Sequence, residues 1–517
     1  MCGIFACLYA SRSPEYYHAG HQSIQHRGPD ASVLVQHGPH VLGFHRLAIN
    51  DLSDKGNQPL VHPENPQLRL ICNGEIYNHR ELQKIYNFKL QSHSDCEIIL
   101  HLYQRFGIER TLHELDGYFA FVLLDGEDVY MARDTIGVRS MYIGYADAEI
   151  YVASELKAIH PYAEHVDYFP PGQYWSSLSK TFTVYDTIAV SRIIGDEYSI
   201  VMKHTRDLLT DAVRKRVQNT ERPLGCFLSG GLDSSIITAL VCSLSPTPVH
   251  TFSIGMAGSV DLYYAQMVAE HLHTIHHEVV VTEEDMLNAI PDVIRQIETY
   301  DTTTVRASTP MYLLSKYIVK NTDIRVILSG EGSDELSGSY AYFKKAPTAH
   351  QAYEESVRLT SELQYFDVLR CDKSTAGNGL EVRVPFLDKD FVSYYLHINP
   401  EYKWFPNYEC EKYLLRESFA SYLPDEVLWR TKEAFSDGVS QQKRSWYTII
   451  QEHVDRLMLP IVHYETNPPQ MKESLWYRIL FDEAYPDRSS ILPYYWLPKW
   501  CGDVKDPSAR TLDIYTP

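Results

Sequence analysis

The sequence predicts two joined domains. The first is an α+β arrangement of packed antiparallel sheets; the second is an α/β, Rossmann-like parallel sheet that runs into a helical C-terminal part. Three observations lead there. Residues 1–160 carry many short apolar or alternating runs broken by turn residues, the pattern of antiparallel sheets. From about residue 200 the runs alternate between strand and helix periods, as in a parallel sheet with helices on both faces and ligands at the strand carboxyl ends. Between them a less patterned stretch, 169–199, carries Pro170-Pro171-Gly172 and reads as a rim and linker.

Taken in order, the first domain's strands are expected at 43–50, 68–73, 118–124, 128–132, 141–145 and 149–153, with a helix at 96–106. A helix at 200–218 opens the second domain. Strands follow at 224–228, 249–254, 278–281 and 325–329, and beyond about residue 341 the chain is mostly helical and aromatic-rich. These readings place the domains at 2–185 and 200–517. A chain of 517 residues that is 44% hydrophobic is large enough to bury a substantial core in each. The net charge of −20 argues against a nucleic-acid partner, and it means that a phosphate ligand needs a local site with its own cations. Nine cysteines, several inside apolar runs (Cys72, Cys226, Cys242), suit reduced thiols in a cytoplasmic protein. The sequence shows no membrane span and no leader, so no membrane partner is expected, and it is compatible with a homodimer.

The most informative stretch is Ser229-Gly230-Gly231-Leu232-Asp233-Ser234-Ser235, set between an apolar strand and the start of a helix. Its glycines let backbone amides approach an anion, its serines add hydroxyl donors, and the helix supplies its positive end. Asp233 would repel phosphate unless a cation lies between them, which predicts Mg2+. No lysine closes the loop, so it is not the GxxxxGK[ST] pattern. At the other end, the chain opens Met1-Cys2-Gly3-Ile4. Removal of Met1 would leave a thiol and a free α-amine on one residue, and an amine of pKa about 7.7–8.0 can act as base for its own thiol. His271, His273, His276 and His277 look like a zinc cluster but read better as a helix end and the start of a strand.

Four segments together resemble the class II, N-terminal-nucleophile glutamine amidotransferases: Cys2-Gly3-Ile4, His26-Arg27-Gly28-Pro29-Asp30, His45-Arg46-Leu47-Ala48-Ile49 and Asn73-Gly74-Glu75-Ile76-Tyr77-Asn78. The loop at 229–235 resembles the PP-loop of enzymes that cleave ATP between the α and β phosphates to adenylate a substrate. Further stretches are 298–301, 304–308, 329–335, 380–388 (LEVRVPFLD), 432–438 (KEAFSDG) and 506–512 (DPSARTL). With these, the chain resembles the glutamine-hydrolysing asparagine synthetases almost end to end.

That resemblance implies an Ntn-hydrolase-type αββα sandwich followed by a PP-loop ATP-pyrophosphatase domain. It implies L-aspartate, L-glutamine and ATP with Mg2+ as reactants, and a β-aspartyl-AMP intermediate. Carried onto this chain, it makes Cys2 the nucleophile, and Asn73 with the Gly74 amide the oxyanion hole, presented by an Asn-Gly turn after a strand. Arg46, Leu47, Ala48, Ile49, Asn50, Glu75 and Asp95 join Asn73 and Gly74 around glutamine, Arg46 on the α-carboxylate and Asp95 on the α-amine. Leu228, Ser229, Gly230, Gly231, Asp233, Ser234, Ile254, Ser329 and Gly330 fall around ATP, although Leu228 and Ile254 read equally as core strand positions. Asp233 and Asp334 become the Mg2+-pyrophosphate ligands, Glu331 the base, and Lys432 the partner of the α-phosphate. Arg383 and Asp388 either shape the aspartate pocket or form a structural ion pair.

Three departures from the family stand out: Cys96 where a small residue such as glycine is usual, Ser140 where proline is common and which should loosen a turn, and a shorter linker after Asp186. Ammonia released in one domain is expected to reach the other through a mostly apolar passage. Two competing readings are a PP-loop amidotransferase for another carboxylic acid, decided around Val305, Arg383 and Asp388, and a non-catalytic relative. The second would lack some of Cys2, Asn73, Asp233, Glu331 and Lys432, and all five are present.

Overall fold

The structure is a computed structural model that describes residues 1–188, 193–441, 443–509 and 512. Residues 189–192 of the expected linker, and Arg510 and Thr511 of the C-terminal motif, lie outside the described residues. The chain divides into two compact units. One comprises 1–188 with 219–223 and 375–381; the other comprises 189–218, 224–374 and 382–517.

The first unit contains β1 (Gly3–Leu8), β2 (Ala31–His37), β3 (His40–Arg46), β4 (Leu60–His62), β5 (Asn65–Ile76), β6 (Gly117–Asp125), β7 (Asp128–Arg133), β8 (Tyr142–Ala146), β9 (Glu149–Ala153), β10 (His165–Tyr168), β11 (Gln173–Ser176) and β12 (Thr181–Val184). Its helices are α1 (His18–Gln22), α2 (His79–Tyr86), α3 (Glu97–Glu114) and α4 (Leu156–Ile159). The strands form two antiparallel sheets, ordered β10-β8-β9-β1-β3-β2 and β12-β11-β7-β6-β5-β4. Side chains alternate across a strand, so β1 sends Ile4, Ala6 and Leu8 toward Ile71, Ala120, Val122 and Met131 of the second sheet, forming the inner core. The far face of that second sheet buries Cys72, Phe119, Phe121 and Leu123 against Ile98, Ile99 and Leu102 of α3. On the far face of the first sheet, Phe5 meets Tyr17, His21 and Tyr162 around the touching helices α1 and α4. The layers are therefore αββα.

Several strands differ from expectation. β1 and β2 were not anticipated; β1 is buried along its whole length, so it lacks the alternation that marks a half-buried strand. The strand expected at 43–50 ends at Arg46, and residues 47–50 leave the sheet. The stretch read as rim and linker contains β11 and β12, joined by a tight turn in which Lys180 adopts φ +55°. The helix expected at 96–106 continues to Glu114 beyond a break at Gly107, whose φ of +76° explains the apparent stop.

The second unit contains α5 (Tyr198–Gln218), β13 (Leu224–Phe227), α6 (Leu232–Leu244), β14 (His250–Met256), α7 (Val260–Leu272), β15 (Ile275–Val281), α8 (Glu283–Ile297), α9 (Thr302–Asn321), β16 (Val326–Leu328), α10 (Ser333–Ser337), α11 (Ala349–Glu362), α12 (Asp367–Ala376) and β17 (Glu381–Arg383). Further helices follow at Lys389–His397, Tyr413–Ser418, Trp446–Arg456 and Lys472–Ala484. The sheet order is β15-β14-β13-β16-β17, with β13 parallel to both β14 and β16. The chain steps outward from β13 through β14 to β15, then returns to the other side of β13 with β16. The order reverses between β13 and β16, so the loops after these two strands meet at a topological switch point, where parallel sheets bind ligands. His276 and His277 lie in β15 opposite Thr251 and Phe252. The His276 ring nitrogens face Thr251 and Ser253, and that of His277 faces His250. Among the described residues, no helix is long and apolar enough to cross a membrane.

Candidate functional site

In the first unit the register of β1 on β3 pairs Gly3 with His45, which brings Cys2 beside Arg46 and Leu47. The Cys2 thiol donates to the Leu47 carbonyl at 3.7 Å, and the Cys2 carbonyl accepts from Arg27 Nε at 2.9 Å. Arg27 is fixed in turn by the buried Glu155 at 2.8 Å. Burial pushes the Cys2 thiol up to about 11, so in this setting the thiol needs a base to ionise. The Met1 α-amine lies 3.7 Å from Glu381 Oε2, and burial lowers its pKa. Asn73 and Gly74 are not a turn. Both sit inside β5, paired with Ala120 and Phe119 of β6, because the ladder continues to Ile76. A side chain at Gly74 would crowd the Tyr118 carbonyl, its Cβ only 2.7 Å from that oxygen. Asn73 is 1% exposed, and among the described residues its Nδ2 has no hydrogen-bond partner, a costly state for a buried donor.

Around it, Asn50 Nδ2 donates to Glu75 Oε2 at 3.0 Å and to Asp95 Oδ1 at 3.4 Å. Asp95 Oδ2 accepts from the Ile76 amide at 2.6 Å, and Asn219 Nδ2 donates to Glu75 Oε2 at 2.8 Å. Arg46 Nη1 donates to the Ser53 carbonyl at 2.7 Å and to Asn57 Oδ1 at 2.8 Å, and its Nη2 donates to the Asp51 carbonyl. These acceptors are neutral oxygens, and Gly56 leaves room for the guanidinium, which any side chain there would overlap. The Ala48 amide donates to Asp30 at 2.8 Å, and the Ile49 carbonyl accepts from Glu221 N at 3.1 Å.

In the second unit the loop after β13 closes on itself. Ser234 Oγ accepts from Ser229 N at 3.2 Å, and the Gly231 amide donates to Ser229 Oγ at 3.3 Å. Gly230 takes φ +69°, and a side chain there would overlap the backbone of Tyr264 and Ala265. A cavity of about 250 Å3 opens above the switch point. Leu228, Ser229, Gly231, Asp233, Ser234, Ile254, Ser329, Gly330, Glu331, Asp334 and Lys432 all line it, whereas Gly230 faces α7 instead. Asp233 and Asp334 are drawn together by one buried lysine: Lys412 Nζ lies 2.5 Å from a carboxylate oxygen of each. Lys432 Nζ meets the other oxygen of Asp334 at 2.5 Å, and Ser333 donates to Asp233 Oδ1 at 2.7 Å. Burial opposes ionisation of Asp334, but Lys412 and Lys432 outweigh it and hold its carboxyl far below the usual range. Glu331 accepts a bidentate pair from Arg370, at 3.0 and 2.6 Å, while burial pushes its pKa up.

These two constellations can be compared with known proteins. The profile of the family described as asparagine synthase matches residues 204–364 and 345–500, and that of the glutamine amidotransferase domain matches residues 1–189. The asparagine synthetase (glutamine-hydrolyzing) of Gallus gallus is 44% identical over 560 residues, covering 100% of this chain and 99% of its own length. The Homo sapiens protein of the same name is 44% identical over 561 residues with the same coverage. The chain belongs to the asparagine synthetase family.

Against the asparagine synthetase pattern, three residues of this chain's sites carried no local signal. Lys412 lies in an ordinary polar stretch, and only the fold delivers it, from 179 positions away, to Asp233. Asn219 reaches Glu75 across 144 positions. Arg430 donates to the Gly230 carbonyl at 3.1 Å and covers the Tyr264 ring at 4.2 Å, bracing the loop from behind. Arg383 and Asp388 do not line the cavity. Asp388 pairs with Arg216 at 2.8 Å and Lys215 at 3.3 Å, and Arg383 donates to the Arg216 carbonyl at 2.6 Å, so their role is structural. Val305 is buried away from the cavity, whose wall there is formed by Thr303, Arg306 and Ala307. Ser140 does not loosen its turn: its hydroxyl donates to the Ser154 carbonyl at 2.8 Å. Cys96 is buried beside Cys72 and donates to the Gly74 carbonyl at 3.6 Å, filling the space a smaller residue would leave.

Proposed function

We propose that this chain makes L-asparagine from L-aspartate at the expense of ATP, using nitrogen released from L-glutamine, with AMP and pyrophosphate as the other products. The observation that carries the reading is the acidic pair at the switch point, Asp233 and Asp334, converging on Lys412 beside a glycine loop. Two carboxylates of this kind suit a hard divalent cation that completes its shell with phosphate oxygens and water. Mg2+ held there would neutralise the departing pyrophosphate. The amides of 229–234 and the start of α6 would cradle phosphate oxygens, and Lys432 would face the α-phosphate as charge builds on it. Glu331, kept basic by its buried setting, would take the proton that ammonia must lose when it attacks the activated β-carbonyl.

In the first unit, Cys2 would attack the glutamine amide once removal of Met1 gives it an α-amine of its own as base. Asn73 Nδ2, buried and without a partner among the described residues, supports an oxyanion role, because the bond it can still make would go to the oxygen that turns negative in the transition state. Arg46 and Asp95 would hold the α-carboxylate and α-amine of glutamine, with Asn50 and the Ile76 amide fixing Asp95. Nine cysteines, all free, fit a reducing cytoplasmic setting.

The test is product analysis with a split. Purified protein given aspartate, glutamine and MgATP should form asparagine, AMP and pyrophosphate, and mass spectrometry should find Cys2 at the amino terminus. Cys2→Ala should lose glutamine-dependent synthesis and keep synthesis from ammonia. ADP as product, or loss of both activities in a folded Cys2→Ala protein, would reject the scheme.

A further inference from the structure

We propose that residues 506–509 form a strap that closes the adenylation cavity, with Asp506 and Arg306 as positioning residues that keep water off the acyl-adenylate; this rests on the synthetase reading above. Pro507, Ser508 and Ala509 form part of the cavity wall. The strap is pinned on both sides. On one side Asp506 pairs with Arg306 of α9, Nη1 to Oδ1 at 3.1 Å and Nη2 to Oδ2 at 3.2 Å, and the same carboxylate accepts from the Ser508 amide at 2.8 Å. On the other, Leu512 is 7% exposed in a cluster with Tyr342, Phe343 and Trp500, and its amide donates to the Ala509 carbonyl at 3.1 Å.

The charge balance shows why Asp506 is not there simply to neutralise Arg306. Arg306 already has a bidentate partner in the fully buried Glu473, at 2.8 and 2.5 Å. It is further held by the Tyr447 ring at 5.0 Å, and its carbonyl accepts from Trp446 Nε1 at 3.2 Å. A buried arginine needs one carboxylate, and a second adds desolvated negative charge. Asp506 is therefore not needed to neutralise Arg306, and what it adds is the anchorage of 506–509. The chemistry supplies that segment with a task. A bound acyl-adenylate is open to water, whose oxygen would bond to the β-carbonyl carbon as the carbon–oxygen bond to AMP breaks. AMP leaves, a proton is lost, and aspartate is regenerated without asparagine. A wall held closed during this interval favours ammonia over water, and a latch lets the wall open afterwards for products to leave.

The experiment compares full-length wild type, Asp506→Asn, Asp506→Glu and Pro507→Gly at saturating ammonia, reading AMP released per asparagine, the KM for aspartate, glutamine hydrolysis and Tm. The wild type should release about one AMP per asparagine, since a sealed site lets one adenylate serve one amide. Asp506→Asn and Pro507→Gly should raise that ratio several-fold and raise the KM for aspartate, with Tm and glutamine hydrolysis unchanged, and Asp506→Glu should restore coupling. An unchanged ratio and KM in both Asp506→Asn and Pro507→Gly overturns the strap. So does a fall in Tm with parallel loss of every activity, which would make the carboxylate structural. A wild type that forms no asparagine and no AMP rejects the synthetase reading itself, and the strap with it.

Discussion

Asn73 carries its nitrogen into a buried position where, among the described residues, no group accepts from it, and such a donor calls for a ligand or a water to complete the bond. Removing one oxyanion donor of this kind costs on the order of 10²–10³ in kcat. Asn73→Ala should therefore lower the kcat of glutamine hydrolysis by about that factor with little change in KM, and leave ammonia-dependent synthesis intact; steady-state kinetics with both nitrogen donors checks it. A rise in KM alone would mean that Asn73 only binds substrate. Cys2, Arg46, Asn73 and Asp233 could be proposed from the sequence because each sits in a short motif rather than alone. Lys412 and Asn219 were not, because their partners lie 179 and 144 positions away and each stands alone among ordinary polar residues. The Asn73-Gly74 pair was misread as a turn because that dipeptide favours turns, and here the pairing of β5 with β6 overrides the local preference.

Among the elements, the connection from β13 to α6 is tightly constrained. Its Gly230 combines a left-handed φ with a close approach to α7, and the obstructing atoms are backbone, which cannot swing aside. Gly230→Ala should push the loop out of place. Because a displacement of about 1 Å at a reacting site can cost about 10²-fold, AMP formation should fall by that order while glutamine hydrolysis stays at wild-type level. A variant that adenylates normally would show that the loop's path is not critical. The alternation of strand and helix after residue 200 was readable because the helices are long enough to show their own period, which marks the short apolar runs between them as strands. β1 escaped because both its faces are covered, and β11 and β12 escaped because their four-residue lengths are too short to show alternation. The helix at 97–114 appeared to end early because Gly107 breaks it in the middle.

For the molecule as a whole, the net charge of −20 offers no help to a nucleotide that is itself an anion. The synthetase cavity gathers Arg306, Arg370, Lys412, Arg416, Arg430 and Lys432 on its wall, but nine carboxylates share that wall, Asp233 and Asp334 among them, so a polyphosphate bound there calls for a divalent cation as well. One chain thus sets the Cys2 thiol in its first unit and the glycine-loop cavity in its second, and full-length kinship with asparagine synthetases fits that pairing. The central claim is that the β-carboxylate of aspartate attacks the α-phosphate of ATP and so becomes a carbonyl that ammonia can convert to an amide. The measurement that tests it most directly supplies aspartate labelled with 18O in its β-carboxylate, glutamine labelled with 15N in its amide, and MgATP, then analyses the products by mass spectrometry. The account predicts asparagine bearing the amide 15N, one 18O carried into AMP for each asparagine formed, and unlabelled pyrophosphate. Label appearing in inorganic phosphate beside ADP, or asparagine formed with unlabelled AMP, would contradict it.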